Sequence, residues 1–76
     1  MIEFNISINS VHAVKQFVEA ANKYDFDIDL SSGRYSIDGK SIMGIFSLDL
    51  EKPIKLIAHI DESDEFVADM KPFIID

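Results

Sequence analysis

The 76-residue chain predicts an α+β open-faced sandwich. One antiparallel sheet has a wet face, and three helices cover the other face. Three observations lead there. Four segments alternate apolar and polar residues with period two, as half-buried strands do. Three other segments carry apolar residues at helical spacing, each just after a serine able to cap it. The alternation is clean in every strand, which leaves one face of the sheet to water and requires the helices to share the other.

The elements follow in order. Residues 1–8, MIEFNISI, put Ile2, Phe4, Ile6 and Ile8 on one face and Glu3, Asn5 and Ser7 on the other. Asn9 and Ser10 break that period, and both are good N-cap residues. A helix of about 13 residues then runs with Val11, Val14, Val18 and Ala21 on its buried stripe, Phe17 beside it, and Lys15, Glu19 and Lys23 opposite. Residues 26–30, FDIDL, return to period two, with Phe26, Ile28 and Leu30 inward and Asp27 and Asp29 outward. Ser31-Ser32-Gly33 is turn chemistry, and Tyr35 and Ile37 begin a return strand. After Asp38-Gly39 a short helix spans Ser41–Leu48, with Ile42, Ile45 and Phe46 on one face and Met43 off it. Beyond Glu51-Lys52-Pro53, a strand places Ile54, Leu56, Ala58 and Ile60 on one side, and Lys55, Ile57 and His59 on the other. Ser63 caps a last helix whose first turn holds Asp64 and Glu65, where the helix dipole favours acids. Phe66, Val67 and Met70 are its buried stripe, and Pro72 ends it. The apolar tail Phe73-Ile74-Ile75-Asp76 is expected to dock on the body. The order is β-α-β-β-α-β-α, in one domain over residues 1–76.

Composition narrows the function classes. The chain has no cysteine, so it has neither a disulfide nor a thiolate metal site. A net charge of −7 disfavours nucleic-acid binding, which uses a basic face. No apolar run approaches the ~20 residues of a membrane span, and no basic segment precedes an apolar one as in a signal peptide. A soluble cytoplasmic protein is the expectation. Asp25, Asp27 and Asp29 superficially look like a calcium loop, but the apolar residues between them and the missing glycine belong to a strand. His59 has no metal-ligand spacing to His12. No Gly-rich phosphate loop, catalytic triad or carboxylate pair is present. The residues call for neither a metal nor a cofactor, and an independent enzyme with turnover is not expected.

The run Lys40–Leu48, KSIMGIFSL, closely resembles the regulatory-serine segment of HPr, the small phosphocarrier family of the bacterial sugar phosphotransferase system. In that family the segment reads K-S-I-M-G, then an apolar residue, Met, Ser and Leu. Ala20-Ala21-Asn22-Lys23-Tyr24-Asp25 is similar to the end of the family's first helix, the spacing from Tyr24 to Ser41 fits without a gap, and Leu50 to Ile60 fits its fourth strand. The resemblance implies an HPr-like open-faced β-sandwich. It also implies that Ser41 is a target of HPr kinase whose phosphorylated form binds a catabolite-repression transcription regulator. Ile42, Met43 and Phe46 then match the family's apolar partner surface. Of these, Ile42 and Met43 are expected at the surface, with Phe46 open to either side.

The family's catalytic loop reads Gly, an apolar residue, then His-Ala-Arg-Pro at the start of the first helix. The histidine takes a phosphoryl group from enzyme I, and the arginine and the helix N-terminus hold it. Here the words are Ser10-Val11-His12-Ala13-Val14-Lys15. His12-Ala13 looks like the motif's His-Ala, but helix phase says otherwise. With Val14, Phe17, Val18 and Ala21 on the family's core positions, Ser10 takes the histidine's place and His12 the arginine's. Laying His12 on the catalytic position would delete two residues from the helix, turn it by about 200° and put the apolar stripe in water.

Two functions follow. One is phosphoryl carriage, with enzyme I charging His12 and a sugar-permease component receiving the group. The other is a regulatory or partner-binding module acting through Ser41 and its apolar neighbours. The phase of the first helix tilts the reading toward the second.

Overall fold

A computed structural model describes residues 1–75 of the chain. The elements are β1 (Ile2–Ile6), α1 (Val11–Ala21), β2 (Ile28–Ser32), β3 (Tyr35–Asp38), α2 (Ile42–Ile45), β4 (Ile54–Ala58) and α3 (Asp64–Met70). The four strands form one sheet in the order β1-β4-β2-β3, and every pairing is antiparallel. The element order is the one the periodicities predict. Several elements are shorter than predicted, because apolar periodicity continues into segments that pack on the core without ladder hydrogen bonds; β2 keeps its five residues but is displaced, so that Ser31 and Ser32, expected in the turn, belong to the strand. Ile8 is fully buried although β1 ends at Ile6. Leu48 is buried although α2 ends at Ile45. The second strand begins two residues later than expected, at Ile28, and Phe26 instead joins an aromatic cluster ahead of it.

The core lies between the sheet and the helices. Ile6, Ile28, Leu30, Ile54, Leu56 and Ala58 supply the sheet side; Val14, Phe17, Ala21, Ile45, Phe66 and Met70 supply the helix side. On the wet face, Lys55 pairs with Glu3 at 3.0 Å. There His59 Nε2 also lies 2.7 Å from Asp29 Oδ2, joining β4 to β2.

One inward assignment needs correction. Val11, expected on the buried stripe, is 58% exposed. It is the first helical residue, a turn ahead of Val14, where the helix first meets the core. Tyr35 begins the return strand as expected and is 70% exposed, because it closes the β2–β3 hairpin at the rim of the sheet.

The tail docks as expected. Ser7 donates to the Phe73 carbonyl at 2.8 Å and Ile75 to the Asn5 carbonyl at 3.1 Å, with a bridge between Ile6 and Ile74. These bonds cover part of the outer edge of β1, which would otherwise present unpaired backbone groups. Asp76 lies outside the described residues.

A polar cluster ties the C-terminal end of α1 to α3. The Tyr24 hydroxyl donates to Asp69 Oδ2 at 2.5 Å, and Lys23 Nζ is 3.6 Å from the same oxygen. Burial, followed by the hydrogen bond and charge of Asp69, pushes the Tyr24 phenol up to about 12. The Tyr24 hydroxyl holds Asp69 below the usual carboxylate range, against the opposing effect of burial. The folded chain therefore holds the phenol proton more tightly than the unfolded chain does. That stabilisation is complete below the phenol's ordinary value near 10 and is lost as pH rises through about 12. The Asp69 contribution is present above the ordinary carboxylate value and is lost as pH falls through its depressed one. Urea midpoints of the native chain and Tyr24→Phe should differ by a constant amount between about pH 5 and 9, and converge at both extremes. A difference that persists undiminished at pH 12 would remove Tyr24 from the account.

Candidate functional site

The segment that carries Ser41 is positioned by a tight turn. Gly39 N–H donates to the Ile28 carbonyl at 2.7 Å, and Ser41 N–H to the Asp38 carbonyl at 3.0 Å. Lys40 N–H donates to Asp38 Oδ1 at 2.9 Å. A Cβ on Gly39 would lie 3.0 Å from both the Ile28 carbonyl oxygen and its Cγ2, so glycine lets the chain pass close to β2. Lys40 extends along the protein, and its ammonium donates to the Tyr24 carbonyl just past α1.

Ser41 then caps α2, its Oγ accepting from Gly44 N–H at 3.2 Å. Ser10 and Ser63 do the same for α1 and α3, accepting from Ala13 at 3.0 Å and Phe66 at 3.2 Å. Each cap is worth about 1 kcal/mol. In each helix the N–H groups of the first two residues have no intrahelical acceptor. At α1 these belong to Val11 and His12, and at α2 to Ile42 and Met43.

The α2 side chains split around the helix. Ile45 is fully buried, Met43 is 78% exposed and Phe46 is 42% exposed. Ile42 is half-buried against the core, short of the surface position expected for it. Phe46, on one helical face with Ile42 and Ile45 and left open to either side, presents part of its ring to solvent. It is the C-cap of α2 and still helical (φ −67°, ψ −11°), its N–H donating to the Ile42 carbonyl at 3.2 Å, so it keeps its phase with Ile42 and, like it, reaches only partial depth. α1 packs against α2. The two helices thus carry exposed Val11, Met43 and Phe46, together with His12 and the half-buried Ser41.

α1 fixes the phase of the other candidate residues. Val14, Phe17 and Ala21 are fully buried, and Val18 is half-buried. With that face inward, Ser10 is the N-cap in extended conformation (φ −143°, ψ 157°). His12 is the second helical residue, and its exposed imidazole has no side-chain partner among the described residues. No acidic residue lies in the first turn of α1, leaving that end free of a competing carboxylate. Among the described residues, no group of three His, Cys, Asp or Glu side chains could hold a metal ion. No helix among them is long and apolar enough to cross a membrane.

Sequence reasoning missed Val11 as an exposed apolar residue beside His12. Its position at the first helical residue, three ahead of the first core contact, was the available signal. It also passed over Arg34, Tyr35 and Lys52, which line a cleft with Ser32, Ser47 and Asp49. The signal there was that the chain's sole arginine follows the turn glycine.

Comparison with known proteins agrees with this architecture. The chain matches a crystal structure described as HPr-C-His from Thermoanaerobacter tengcongensis with a TM-score of 0.78 and 28% identity, over 95% of this chain and 89% of that one. It matches a phosphocarrier protein HPr from Bacillus anthracis str. Ames with a TM-score of 0.73, over 97% of this chain and 96% of that one. At 19% identity, that second likeness is one of fold. The family model described as the PTS HPr component phosphorylation site spans residues 10–75, from the cap of α1 to the docked tail. On this match, the open-faced sandwich with its serine-capped helices belongs to the HPr family of the phosphotransferase system.

Proposed function

We propose that this chain is a regulatory or partner-binding HPr protein with a degenerate phosphohistidine site. It acts through Ser41 and the adjoining apolar residues Ile42, Met43 and Phe46, and has no turnover of its own. The phase of α1 carries the reading. With Val14, Phe17 and Ala21 inward, the cap position that aligns with the family's histidine holds Ser10. A hydroxyl lacks the nucleophilic, readily charged nitrogen that carries a labile phosphoryl group. The regulatory segment, by contrast, keeps its family words from Lys40 to Leu48 apart from Phe46, where the family has Met.

Phosphorylation of Ser41 would place about two negative charges beside the unpaired N–H groups of Ile42 and Met43, where the helix end favours them. The partners implied are HPr kinase and a transcription regulator, and the setting is the cytoplasm. Met43 suits such a surface, because its flexible side chain adapts to different partners.

A second reading has one observation in its favour. His12 is exposed in the first turn of α1, close to unpaired backbone donors, so it could accept a phosphoryl group from enzyme I and pass it to a sugar-permease component. One experiment separates the two. The chain is incubated with enzyme I and phosphoenolpyruvate, and separately with HPr kinase and ATP. Acid-stable label on the native chain that is absent from Ser41→Ala, with no acid-labile label, is the expected result. Acid-labile label lost in His12→Ala would replace this reading with carriage. Absence of both labels would remove both.

A further inference from the structure

A second candidate site, with charged side chains around a largely apolar floor, lies on the rim of the sheet between two ordered turns. Ser32 pairs with Tyr35 across the β2–β3 hairpin, leaving Gly33 and Arg34 as a two-residue loop. Only Gly33 takes positive φ, +59°, as the first position of a II′ loop requires. The loop sends Arg34 and Tyr35 outward. Facing them is the connector after α2. Its Asp49 accepts from Glu51 N–H at 3.2 Å, while Lys52 N–H donates to the Asp49 carbonyl at 3.3 Å. Between the turns lies a cleft of about 370 Å³ lined by Ser32, Arg34, Tyr35, Ser47, Asp49 and Lys52. Its volume falls in the range of small-molecule sites.

The lining is unlike the rest of the surface. The chain has seven basic side chains against 14 acidic ones, and two of the seven, including its sole arginine, converge here. The Arg34 guanidinium has no partner among the described residues. Lys52 has only Asp49, at 3.8 Å with both side chains more than half exposed. A contact of that kind is worth little, so the ammonium is available to a stronger anion. Tyr35 offers an exposed aromatic face, and the second oxygen of Asp49 has only the weak Lys52 contact to give up.

We propose that this cleft binds a small phosphomonoester carried on a hydroxylated carbon chain. Arg34 and Lys52 hold the phosphate, the guanidinium by its paired donors. Asp49 accepts from hydroxyls of the carbon chain, and the Tyr35 ring covers its C–H face. The carboxylate of Asp49 also selects against a plain alkyl phosphate, whose carbon chain brings no hydroxyl donor to offset the repulsion. The assignment is independent of Ser41 and His12, neither of which lines the cleft.

The test is a titration of the native chain with glycerol 3-phosphate, ethyl phosphate and inorganic phosphate, followed by amide NMR shifts. Glycerol 3-phosphate should produce saturable shifts centred on Gly33–Tyr35 and Ser47–Lys52. Ethyl phosphate and inorganic phosphate should bind more weakly. Arg34→Gln and Lys52→Gln should each weaken glycerol 3-phosphate by ~10-fold or more, the scale of one lost charge-assisted hydrogen bond. Lys71→Gln, which removes a lysine outside the cleft, should not. Asp49→Asn should narrow the preference for glycerol 3-phosphate over ethyl phosphate. No saturable shift at these residues, or equal losses in Arg34→Gln and Lys71→Gln, would overturn the site. Equal affinity for all three probes would overturn the hydroxylated class of ligand.

Discussion

Phe66→Ala should cost the fold about 3–5 kcal/mol, the range for deleting a fully buried aromatic ring. Phe66 is fully buried in α3, and its ring is the hub of a cluster drawn from four parts of the chain. It stacks on Phe4 of β1 at 6.2 Å between centroids. It meets Tyr24, just beyond α1, edge-on at 5.2 Å, and Phe26, ahead of β2, at the same distance. Such pairs add about 0.5–1.5 kcal/mol each beyond the area they bury. Alanine would leave a cavity bounded by three rings, two of which, Tyr24 and Phe26, also hold each other at 5.3 Å, which limits how far the site can collapse to fill it. A domain of this length has a total stability of roughly 4–11 kcal/mol, so the loss would take most of it. At about 4–8 °C per kcal/mol, thermal unfolding should begin near or below room temperature for a mid-range starting stability. Phe46→Ala is the contrast. Phe46 is 42% exposed at the end of α2, and its loss should cost under about 1 kcal/mol while weakening partner binding. Calorimetry on the two variants checks both numbers. A loss below about 1 kcal/mol for Phe66→Ala would mean that the ring does not organise the core.

The largest functional effect expected is a gain. Ser10→His combined with His12→Arg should turn the chain into an acceptor of acid-labile phosphate from enzyme I. Ser10 is the N-cap of α1, with its side chain turned onto the helix end to accept from Ala13 at 3.0 Å. An imidazole there would hold its phosphoryl group beside the unpaired N–H groups of residues 11 and 12. An arginine at position 12 would add a cation to offset the phosphoryl charge. The exchange gives up the serine cap, at about 1 kcal/mol, which the fold tolerates. Labelling should rise at least ~100-fold over the native chain, the scale of supplying one missing anion-stabilising donor. Ser10→His alone should give an intermediate rate. A folded double variant that stays unlabelled would show that the cap of α1 is not the family's acceptor position, and would remove the main support for a degenerate site.

Much of this was legible in the residues. Strand alternation and helical spacing gave every element in order, and all three serine caps stood where a hydroxyl precedes an apolar run. The reason is that each of these signals is local. Period two and period 3.6 are properties of the backbone, and a cap needs only its own first turn. The resemblance at Lys40–Leu48 added the family, and with it the role proposed for Ser41.

What the chain could not declare by itself was depth. Periodicity states which residues share a face, not whether that face meets anything. Val11 and Val14 lie on one stripe, yet only Val14 reaches the sheet, because α1 begins before the layer it covers. Ile42, Ile45 and Phe46 share a helical phase, yet only Ile45 is fully buried and Phe46 stays partly in solvent. Nor could local pattern bring together residues distant in sequence. His59 faces Asp29, Tyr24 bonds Asp69, and Arg34 comes opposite Lys52 only once β4 has been inserted between β1 and β2. The sequence determined the elements, their caps and the inward phase of α1. The tertiary structure decided which apolar residues stay exposed and which charges converge, because both depend on where one layer stops covering another.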